Sequence, residues 1–330
     1  MKTICGLNGF GRFGIHLLKY WLENISISEF EIKFINDDTL DQKNILKIIQ
    51  EDKKINFSNY KVSLENEILL IKNKKNKNSY EITCTHTSSE DITWIGKPKI
   101  FFEASGKHTS KNNCLKFLKN NTSHVIISAT SHDADQTLIY SYNHDQFEIG
   151  NKVISYGSCT VNAYVPFAAY INKHFYIKDS SVNIIHNIPG YKLDKFNTIE
   201  KRICTLEKSG PKLLSFLNND NFNVEYSLIP YTGVSSIDLR FSVQNKITLE
   251  KFIKHLKKEI DVGELKNIYG YSNKDSDPNN FNLTKNSMEI IIPNIAIKNQ
   301  NIYVHGYFDN ENSVNRFFDL SNYIIKRLSL

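Results

Sequence analysis

The first half of the chain consists of short apolar runs, each followed by small polar residues. Four such runs, rich in β-branched and aromatic side chains, span residues 3–7, 30–35, 99–102 and 125–127. Short continuous runs of this kind are typical of buried parallel strands, whose carboxyl ends line a crevice in open α/β sheets. Apolar residues at helical spacing after the first run, and a similar pattern over 110–118, predict helices between the strands.

The pattern changes after about residue 158. Longer strand-like runs follow, and they span residues 182–186, 226–230, 237–243, 289–293 and 302–307. Residues 249–260 predict an amphipathic helix, and residues 314–330 predict a terminal helix. This order of elements favours a sheet of mainly antiparallel strands with helices packed on it.

The first run leads directly into Gly9-x-Gly11-x-x-Gly14. Glycines at this spacing allow a tight turn and a close approach of backbone to a pyrophosphate, and the helix N-terminus that follows attracts phosphates. Asp37 ends the second run, 23 residues after Gly14, where a carboxylate binds a ribose 2′-hydroxyl and repels a 2′-phosphate. Asp37 can also cap the helix predicted over 40–49. The pattern predicts a dinucleotide-binding domain that prefers NAD to NADP.

A third feature is the segment Ser158-Cys159-Thr160, which follows a short β-branched run and precedes an apolar segment. Cys159 is therefore predicted where a strand gives way to a helix. A helix N-terminus or a nearby imidazole lowers the pKa of a thiol, which makes this a suitable place for a nucleophile. The alternative is a small buried apolar side chain.

These features together predict an α/β protein with two domains. The first is a Rossmann-type NAD-binding domain over residues 1–157, completed by the C-terminal helix over 314–330. The second is an α+β catalytic domain with a mainly antiparallel sheet over residues 158–313.

Composition and charge argue against disulfide-stabilised, metal-binding, nucleic-acid-binding and membrane proteins. The five cysteines of the 330 residues are widely spread without metal-ligand spacing, which disfavours a disulfide framework or a metal site. The net charge of +6 owes much to the lysines over 72–77, which lie between two strand-like runs and indicate a solvated hairpin tip. Nucleic acid is therefore disfavoured as a partner. Apolar runs far shorter than a membrane span, and an N-terminus without a secretory pattern, predict a cytoplasmic protein with no membrane partner.

The order of the motifs resembles the glyceraldehyde-3-phosphate dehydrogenase family over essentially the whole chain. The matching segments are Asn8-Gly9-Phe10-Gly11-Arg12, Asn36-Asp37, Ser105-Gly106, Ser128-Ala129, Ser158-Cys159-Thr160-x-Asn162, His186 and Asp309-Asn310-Glu311. The resemblance implies NAD-dependent, phosphorylating oxidation of glyceraldehyde 3-phosphate. In that reaction Cys159 attacks the aldehyde, His186 acts as the base, and inorganic phosphate cleaves the resulting thioester to an acyl phosphate.

The resemblance also implies which residues bind the ligands. The implied cofactor-binding residues are Gly9, Phe10, Gly11, Arg12, Phe13, Asp37, Ser105, Gly106, Ser128 and Asn310. The implied phosphate- and substrate-binding residues are Ser158, Thr160, Ser209, Gly210 and Lys192. Ser209-Gly210 matches a Thr-Gly that begins a helix in the family, and Pro211 suits the first position of that helix.

Two departures affect the substrate. Pro189 and Leu228 stand where the family has a threonine and an arginine that bind the substrate's own phosphate, and Lys192 is a possible replacement from the same loop. The segment over 187–208 is also shortened, which leaves open whether the expected homo-oligomer is a tetramer or a dimer. Two alternatives therefore remain: a dehydrogenase for another short aldehyde, such as erythrose 4-phosphate or an unphosphorylated one, and a catalytically weak NAD-binding interaction protein.

Overall fold

The computed structural model describes residues 2–188, 193, 197–309 and 313–330. The chain forms two compact units, each with its own sheet. The first unit comprises Met1–Leu138, His144–Gly157 and Phe317–Leu330, and the second comprises Ile139–Asn143 and Ser158–Arg316. The short segment 139–143 joins the second unit, where the Tyr142 hydroxyl donates to the Leu213 carbonyl at 2.6 Å.

Seven α-helices are found in the described residues: α1 (Arg12–Glu23), α2 (Gln42–Glu51), α3 (Lys111–Leu115), α4 (Cys159–Phe175), α5 (Thr205–Leu213), α6 (Leu249–Val262) and α7 (Ser313–Arg327). The apolar spacing in α1 buries Leu17, Leu18 and Trp21 on one face. In α6 the same spacing buries Phe252, Leu256 and Ile260. None of the described helices is long and apolar enough to cross a membrane.

The first unit contains a nine-stranded sheet. Its strands are β1 (Thr3–Asn8), β2 (Phe30–Asn36), β3 (Tyr60–Glu65), β4 (Ile68–Asn73), β5 (Ser79–Thr85), β6 (Ile100–Glu103), β7 (His124–Ile127), β8 (Gln136–Thr137) and β9 (Val153–Ser155). Their order is β3-β4-β5-β2-β1-β6-β7-β9-β8, and the strands from β5 to β8 in this order are parallel. The lysine tract forms the exposed turn of the antiparallel pair β4 and β5. The parallel order brings the carboxyl ends of β1, β6 and β7 to one edge.

The second unit contains an eight-stranded sheet. Its strands are β10 (Ile177–Ile188), β11 (Glu200–Lys201), β12 (Phe222–Pro230), β13 (Ser235–Val243), β14 (Tyr269–Ser272), β15 (Met288–Ile291), β16 (Ala296–Lys298) and β17 (Asn301–Phe308). Five of the seven strand pairs are antiparallel. Burial alternates along β10, so Val182, Ile184 and His186 face the core. The α/β fold class expected from the sequence, with a Rossmann-like sheet and a second, mainly antiparallel sheet, is confirmed.

Candidate active site

The glycine loop, residues 9–14, joins β1 to α1 and has no room for side chains at two positions. A Cβ on Gly9, whose φ is +96°, would lie 2.4 Å from the Ser105 amide nitrogen, and a Cβ on Gly14 would lie 2.3 Å from the Gly9 carbonyl oxygen. No atom lies within 4 Å of the Cβ position of Gly11, which precedes α1 without a side-chain cap. The open position beside uncapped helix amides fits an anionic pyrophosphate.

Asp37 is buried and binds the glycine loop directly. Its carboxylate accepts hydrogen bonds from the amides of Phe10 at 2.7 Å, Thr39 at 2.8 Å and Leu40 at 2.7 Å. The alternative that Asp37 caps the next helix is wrong, because α2 begins later and Asp41 caps it by accepting from the Asn44 amide. The Asp37 carboxylate therefore fixes the loop beside the second strand.

The two residues after Gly11 have different environments. The exposed Arg12 guanidinium pairs with Asp52. The Phe13 ring packs against Tyr156 and Phe317, with ring centroids 5.9 and 5.3 Å apart. Phe13 therefore contributes its side chain to the packing of the first unit.

Ser105, Gly106 and Ser128 lie at the carboxyl ends of β6 and β7, on the same edge of the sheet as the glycine loop. Gly106 has a φ of +73°. The Ser105 amide donates to the buried Glu103 carboxylate at 2.8 Å, and the Ser128 amide donates to the Glu103 carbonyl at 2.9 Å. Sequence reasoning did not select Glu103, since an acidic residue at a strand end has no distinctive spacing.

In the second unit, Cys159 is the first residue of α4. Ser158 caps the helix, because its hydroxyl accepts from the Val161 amide at 3.3 Å. The Cys159 Sγ lies 3.5 Å from Nε2 of His186 on β10. The structure therefore brings together the two residues that the sequence assigned to catalysis.

His186 is held in one tautomer. Its Nδ1 lies 2.8 Å from the Asn187 carbonyl oxygen, and a carbonyl can only accept, so Nδ1 carries the proton of the neutral ring. The Nε2 lone pair then faces the thiol. The imidazole also packs against the rings of Tyr226 and Phe308, with centroids 5.6 and 5.8 Å away.

Burial raises the pKa of the Cys159 thiol to about 12, and Cys204 raises it further, while the amides of Thr160 and Cys159 lower it. Desolvation therefore opposes the thiolate expected at the helix N-terminus, while the helix amides favour it. The nearest base that the thiol contacts is the His186 imidazole, 3.5 Å away.

Three hydroxyl groups form a cluster beside Cys159. The Ser158 Oγ lies 3.1 Å from the Thr160 Oγ1 and 3.3 Å from the Thr205 Oγ1. The Thr160 Oγ1 also lies 3.6 Å from the Cys204 Sγ. Thr205 is the first residue of α5, so the cluster lies where two helices begin. Hydroxyl groups at the starts of two helices form a setting suited to an anion.

The expected helix start at Ser209-Gly210 is wrong. Both residues lie buried in the middle of α5, and a Cβ on Gly210 would lie 2.7 Å from the Phe222 ring. Sequence reasoning missed Thr205, although Glu207 in the first turn and the following apolar residue are a recognisable helix start.

Leu228 lies beside His186. It pairs in register with His186 on one side and with Glu200 of β11 on the other, and it is only 4% exposed. Glu200 accepts from the guanidinium of Arg202, at 3.2 Å from Nε and 2.7 Å from Nη2. The predictions for Pro189, Lys192 and Asn310 lie outside the described residues.

Comparison with known proteins agrees with this arrangement. No family model matches the chain. Glyceraldehyde-3-phosphate dehydrogenase 1 of Bacillus subtilis (strain 168) is 28% identical, and the alignment covers 99% of both chains. The enzyme of Priestia megaterium is 27% identical over 98% of both, and the cytosolic enzyme of Pisum sativum 26% over 99% of both. These similarities, at 26–28% identity over nearly the full chain, support a divergent member of the glyceraldehyde-3-phosphate dehydrogenase family.

Proposed function

We propose that the protein is an NAD-dependent dehydrogenase that oxidises glyceraldehyde 3-phosphate at Cys159 and releases an acyl phosphate by attack of inorganic phosphate. The observation that supports this most directly is the 3.5 Å approach of the thiol to an imidazole whose tautomer is fixed. A thiol and a base at this distance form the pair that covalent aldehyde oxidation needs. The same pair argues against a catalytically weak interaction protein.

The first unit supports NAD as the cofactor. Gly11 leaves open space at the start of α1, and the Asp37 carboxylate at the end of β2 disfavours a 2′-phosphate. We assign cofactor binding to the Rossmann-type domain over 1–157 with the helix over 314–330, and catalysis to the domain over 158–313. When NAD is bound, its nicotinamide accepts the hydride that leaves the substrate carbon.

In the proposed mechanism, a proton moves between the sulfur of Cys159 and Nε2 of His186. Cys159 transfers its proton to Nε2 of His186 while the sulfur electron pair forms a bond to the carbonyl carbon. The imidazolium returns the proton to the oxygen, and neutral Nε2 takes it again as the carbon loses its hydride, which leaves a thioester. The thioester carbon then accepts an oxygen of inorganic phosphate, the C–S bond breaks, and the imidazolium of His186 returns its proton to the Cys159 sulfur, while the proton of the hydrogen phosphate leaves to solvent.

The attacking phosphate is proposed to bind at the hydroxyl cluster of Ser158, Thr160 and Thr205. The distances of 3.1 and 3.3 Å within this cluster bring three donors together beside the nucleophile. A phosphate oxygen that accepts from them lies within reach of a thioester on Cys159.

One observation favours a different aldehyde. Leu228 gives the position beside His186 an apolar side chain, and its other register neighbour is the acidic Glu200. A buried leucine cannot pair with a phosphate dianion. The alternative substrate is therefore a short aldehyde that does not need a cation at position 228. Erythrose 4-phosphate, with its phosphate bound elsewhere, and unphosphorylated glyceraldehyde are two examples.

The deciding experiment measures NADH formation with glyceraldehyde 3-phosphate, erythrose 4-phosphate and glyceraldehyde, each with and without inorganic phosphate. The proposal expects the highest kcat/KM for glyceraldehyde 3-phosphate, and one burst of NADH per active site when phosphate is omitted. Cys159→Ala should abolish the burst, while Cys84→Ala, a buried cysteine in the other unit, should keep it. A higher kcat/KM for glyceraldehyde would establish the alternative, and NADH formation by Cys159→Ala would overturn both.

A further inference from the structure

A continuous chain of buried polar side chains crosses four neighbouring strands below the glycine loop. The Trp94 indole donates to the Thr85 hydroxyl at 3.0 Å, and that hydroxyl donates to the Asn36 Oδ1 at 2.8 Å. The Asn36 amide nitrogen donates to the Asn8 Oδ1 at 2.9 Å, and the Asn8 amide nitrogen donates to the Glu103 Oε2 at 2.8 Å. Each of these five residues is at least 95% buried. We call them the Glu103 chain.

The Glu103 chain has a fixed direction. An indole can only donate and a carboxylate can only accept, so the two ends determine which way both asparagine amides face. The other Glu103 oxygen accepts from the Ser105 amide at 2.8 Å and from the Ser105 hydroxyl. The carboxylate therefore receives three donors, which a protonated or amide side chain cannot accept in the same geometry.

The Glu103 chain is connected to the glycine loop through the backbone. The Asn36 carbonyl accepts from the Gly9 amide at 2.8 Å, and the Asn8 carbonyl accepts from the Ala104 amide at 2.7 Å. Because a Cβ on Gly9 would lie 2.4 Å from the Ser105 nitrogen, the loop and Ser105 are in direct contact. A change in the orientation of Asn8 or Asn36 therefore shifts the backbone that faces the dinucleotide.

We propose that Glu103 is a positioning residue for cofactor binding. Its carboxylate fixes the direction in which the hydrogen bonds of the Glu103 chain donate, and it holds Ser105 against Gly9. The proposal rests on the proposed function, since it takes this crevice to be the NAD site. Burial raises the pKa of Glu103 to about 6, against the lowering effects of Ser105, Asn8 and the nearby Lys116 charge. A buried carboxylate opposes folding relative to its neutral form, so packing alone gives no reason to use a glutamate here.

The decisive variant is Glu103→Gln, which changes the direction of one hydrogen bond and almost no volume. If the new amide oxygen accepts from Ser105, its nitrogen faces the Asn8 nitrogen, and two donors meet. Asn8 must then reverse, which loses its bond from Asn36. We expect the Kd for NAD, measured by calorimetric titration, to rise at least tenfold.

A double variant restores the pattern. With Asn8→Asp added to Glu103→Gln, the carboxylate at position 8 accepts from both Asn36 and the new glutamine nitrogen, and the glutamine oxygen accepts from Ser105. We expect the double variant to bind NAD within about threefold of the unmodified protein. Glu31→Gln, which removes a carboxylate paired with Lys33 on β2, is the matched control and should bind NAD normally.

Three further readouts separate positioning from general destabilisation. In Glu103→Gln we expect a higher KM for NAD with kcat changed by less than threefold, and an unchanged rate of Cys159 alkylation without cofactor. Amide hydrogen exchange of the peptides containing Gly9 and Ser105 should become faster in the cofactor-free protein. Equal NAD affinity in Glu103→Gln and the unmodified protein would overturn the proposal, and so would a double variant that does not restore NAD binding. A Glu103→Gln variant that loses melting temperature, Cys159 alkylation rate and NAD affinity together would also overturn it, because that result indicates general destabilisation.

The design also distinguishes failure of the proposed function. If the unmodified protein does not bind NAD, the cofactor assignment is wrong, and the exchange measurement still decides whether Glu103 orders the loop. If Glu103→Gln does not fold, Ser105→Ala and the double variant test the same contacts. Unchanged exchange at Gly9 in Ser105→Ala then counts against the proposal.

Discussion

At the scale of single residues, burial and hydrogen bonds shift the pKa values of the ionisable groups in opposite directions. Burial raises the pKa of Cys159 to about 12, while Nε2 of His186 lies 3.5 Å from its sulfur. We therefore expect the reactivity of the thiol to depend on His186. Glu103 shows the same opposition in the first unit, where three donors do not fully offset desolvation.

The first prediction concerns thiol reactivity. Cys159 is half-buried and lies 3.5 Å from Nε2 of His186, whereas Cys5, Cys84, Cys114 and Cys204 are buried. We expect iodoacetamide at pH 7 to label Cys159 at least tenfold faster than any other cysteine, as measured by peptide mass spectrometry. His186→Asn should slow this labelling about tenfold by removing the base. Equal labelling of all five cysteines would contradict the assignment.

The second prediction concerns pH and Glu103. Because the pKa is raised from 4.5 to about 6, the folded state binds this proton more tightly than the unfolded state does. Glu103 therefore stabilises the fold below pH 4.5, and this contribution is lost as pH rises through 6. The loss is about 2 kcal/mol, at 1.36 kcal/mol per pKa unit. Urea unfolding at pH 4.5 and 7.5, in the unmodified protein and in Glu103→Gln, measures it, since the variant lacks this titration.

At the scale of elements, the candidate site residues lie at the N-termini of helices and at the ends of strands. The N-termini of α4 and α5 bring Ser158, Thr160 and Thr205 together. The N-terminus of α1 lies beside Gly11, where no atom occupies the Cβ position. Strand ends place His186 and Leu228 side by side through the register of β10 and β12.

The third prediction compares two glycines. An alanine Cβ at Gly14 would meet the Gly9 carbonyl at 2.3 Å, whereas one at Gly11 would meet nothing within 4 Å. Gly14→Ala should destabilise the fold by about 2 kcal/mol or more, in the range for overpacked sites. Gly11→Ala should leave the melting temperature within about 2 °C and weaken NAD binding about tenfold. Normal NAD affinity in Gly11→Ala would show that the open space is not the pyrophosphate site.

The fourth prediction concerns the hydroxyl cluster. Thr205→Val keeps the shape of the side chain and removes the hydroxyl that lies 3.3 Å from Ser158. We expect the KM for inorganic phosphate to rise about tenfold, with the NADH burst unchanged. Ser209→Ala, within the middle of the same helix, should change this KM by less than twofold. If Ser209→Ala raised the KM for inorganic phosphate more than Thr205→Val did, phosphate binding would be assigned to Ser209 instead.

At the scale of the whole molecule, the chain forms two units with separate sheets, to which we assign different roles. The first has the parallel edge suited to a dinucleotide, and the second has the thiol, base and hydroxyl cluster. The outward face of the second sheet also carries apolar side chains, since Ile185 and Tyr303 are each 37% exposed. Contact with a second copy on this face would bury these two side chains.

The fifth prediction concerns assembly. We propose a homo-oligomer, with the choice between tetramer and dimer to be decided by light scattering after size exclusion. The 38.2 kDa chain should elute as a two- or fourfold multiple at micromolar concentration. Ile185→Glu should shift the mass towards a smaller species if this face contributes. A monomer at micromolar concentration would overturn the proposal.

The sequence by itself determined the fold class and the resemblance to the glyceraldehyde-3-phosphate dehydrogenase family, and it led to the proposal of Cys159 and His186 as the catalytic pair, because strand and helix periodicity and short motifs depend on neighbouring residues. Only the tertiary structure decided that Thr205 rather than Ser209 begins α5 beside Ser158, and that Asp37 binds the Phe10 amide. The direction of the Glu103 chain likewise depends on the register of four strands. These contacts join residues far apart in the chain, and sheet register and helix packing, which place them, are properties of the whole fold.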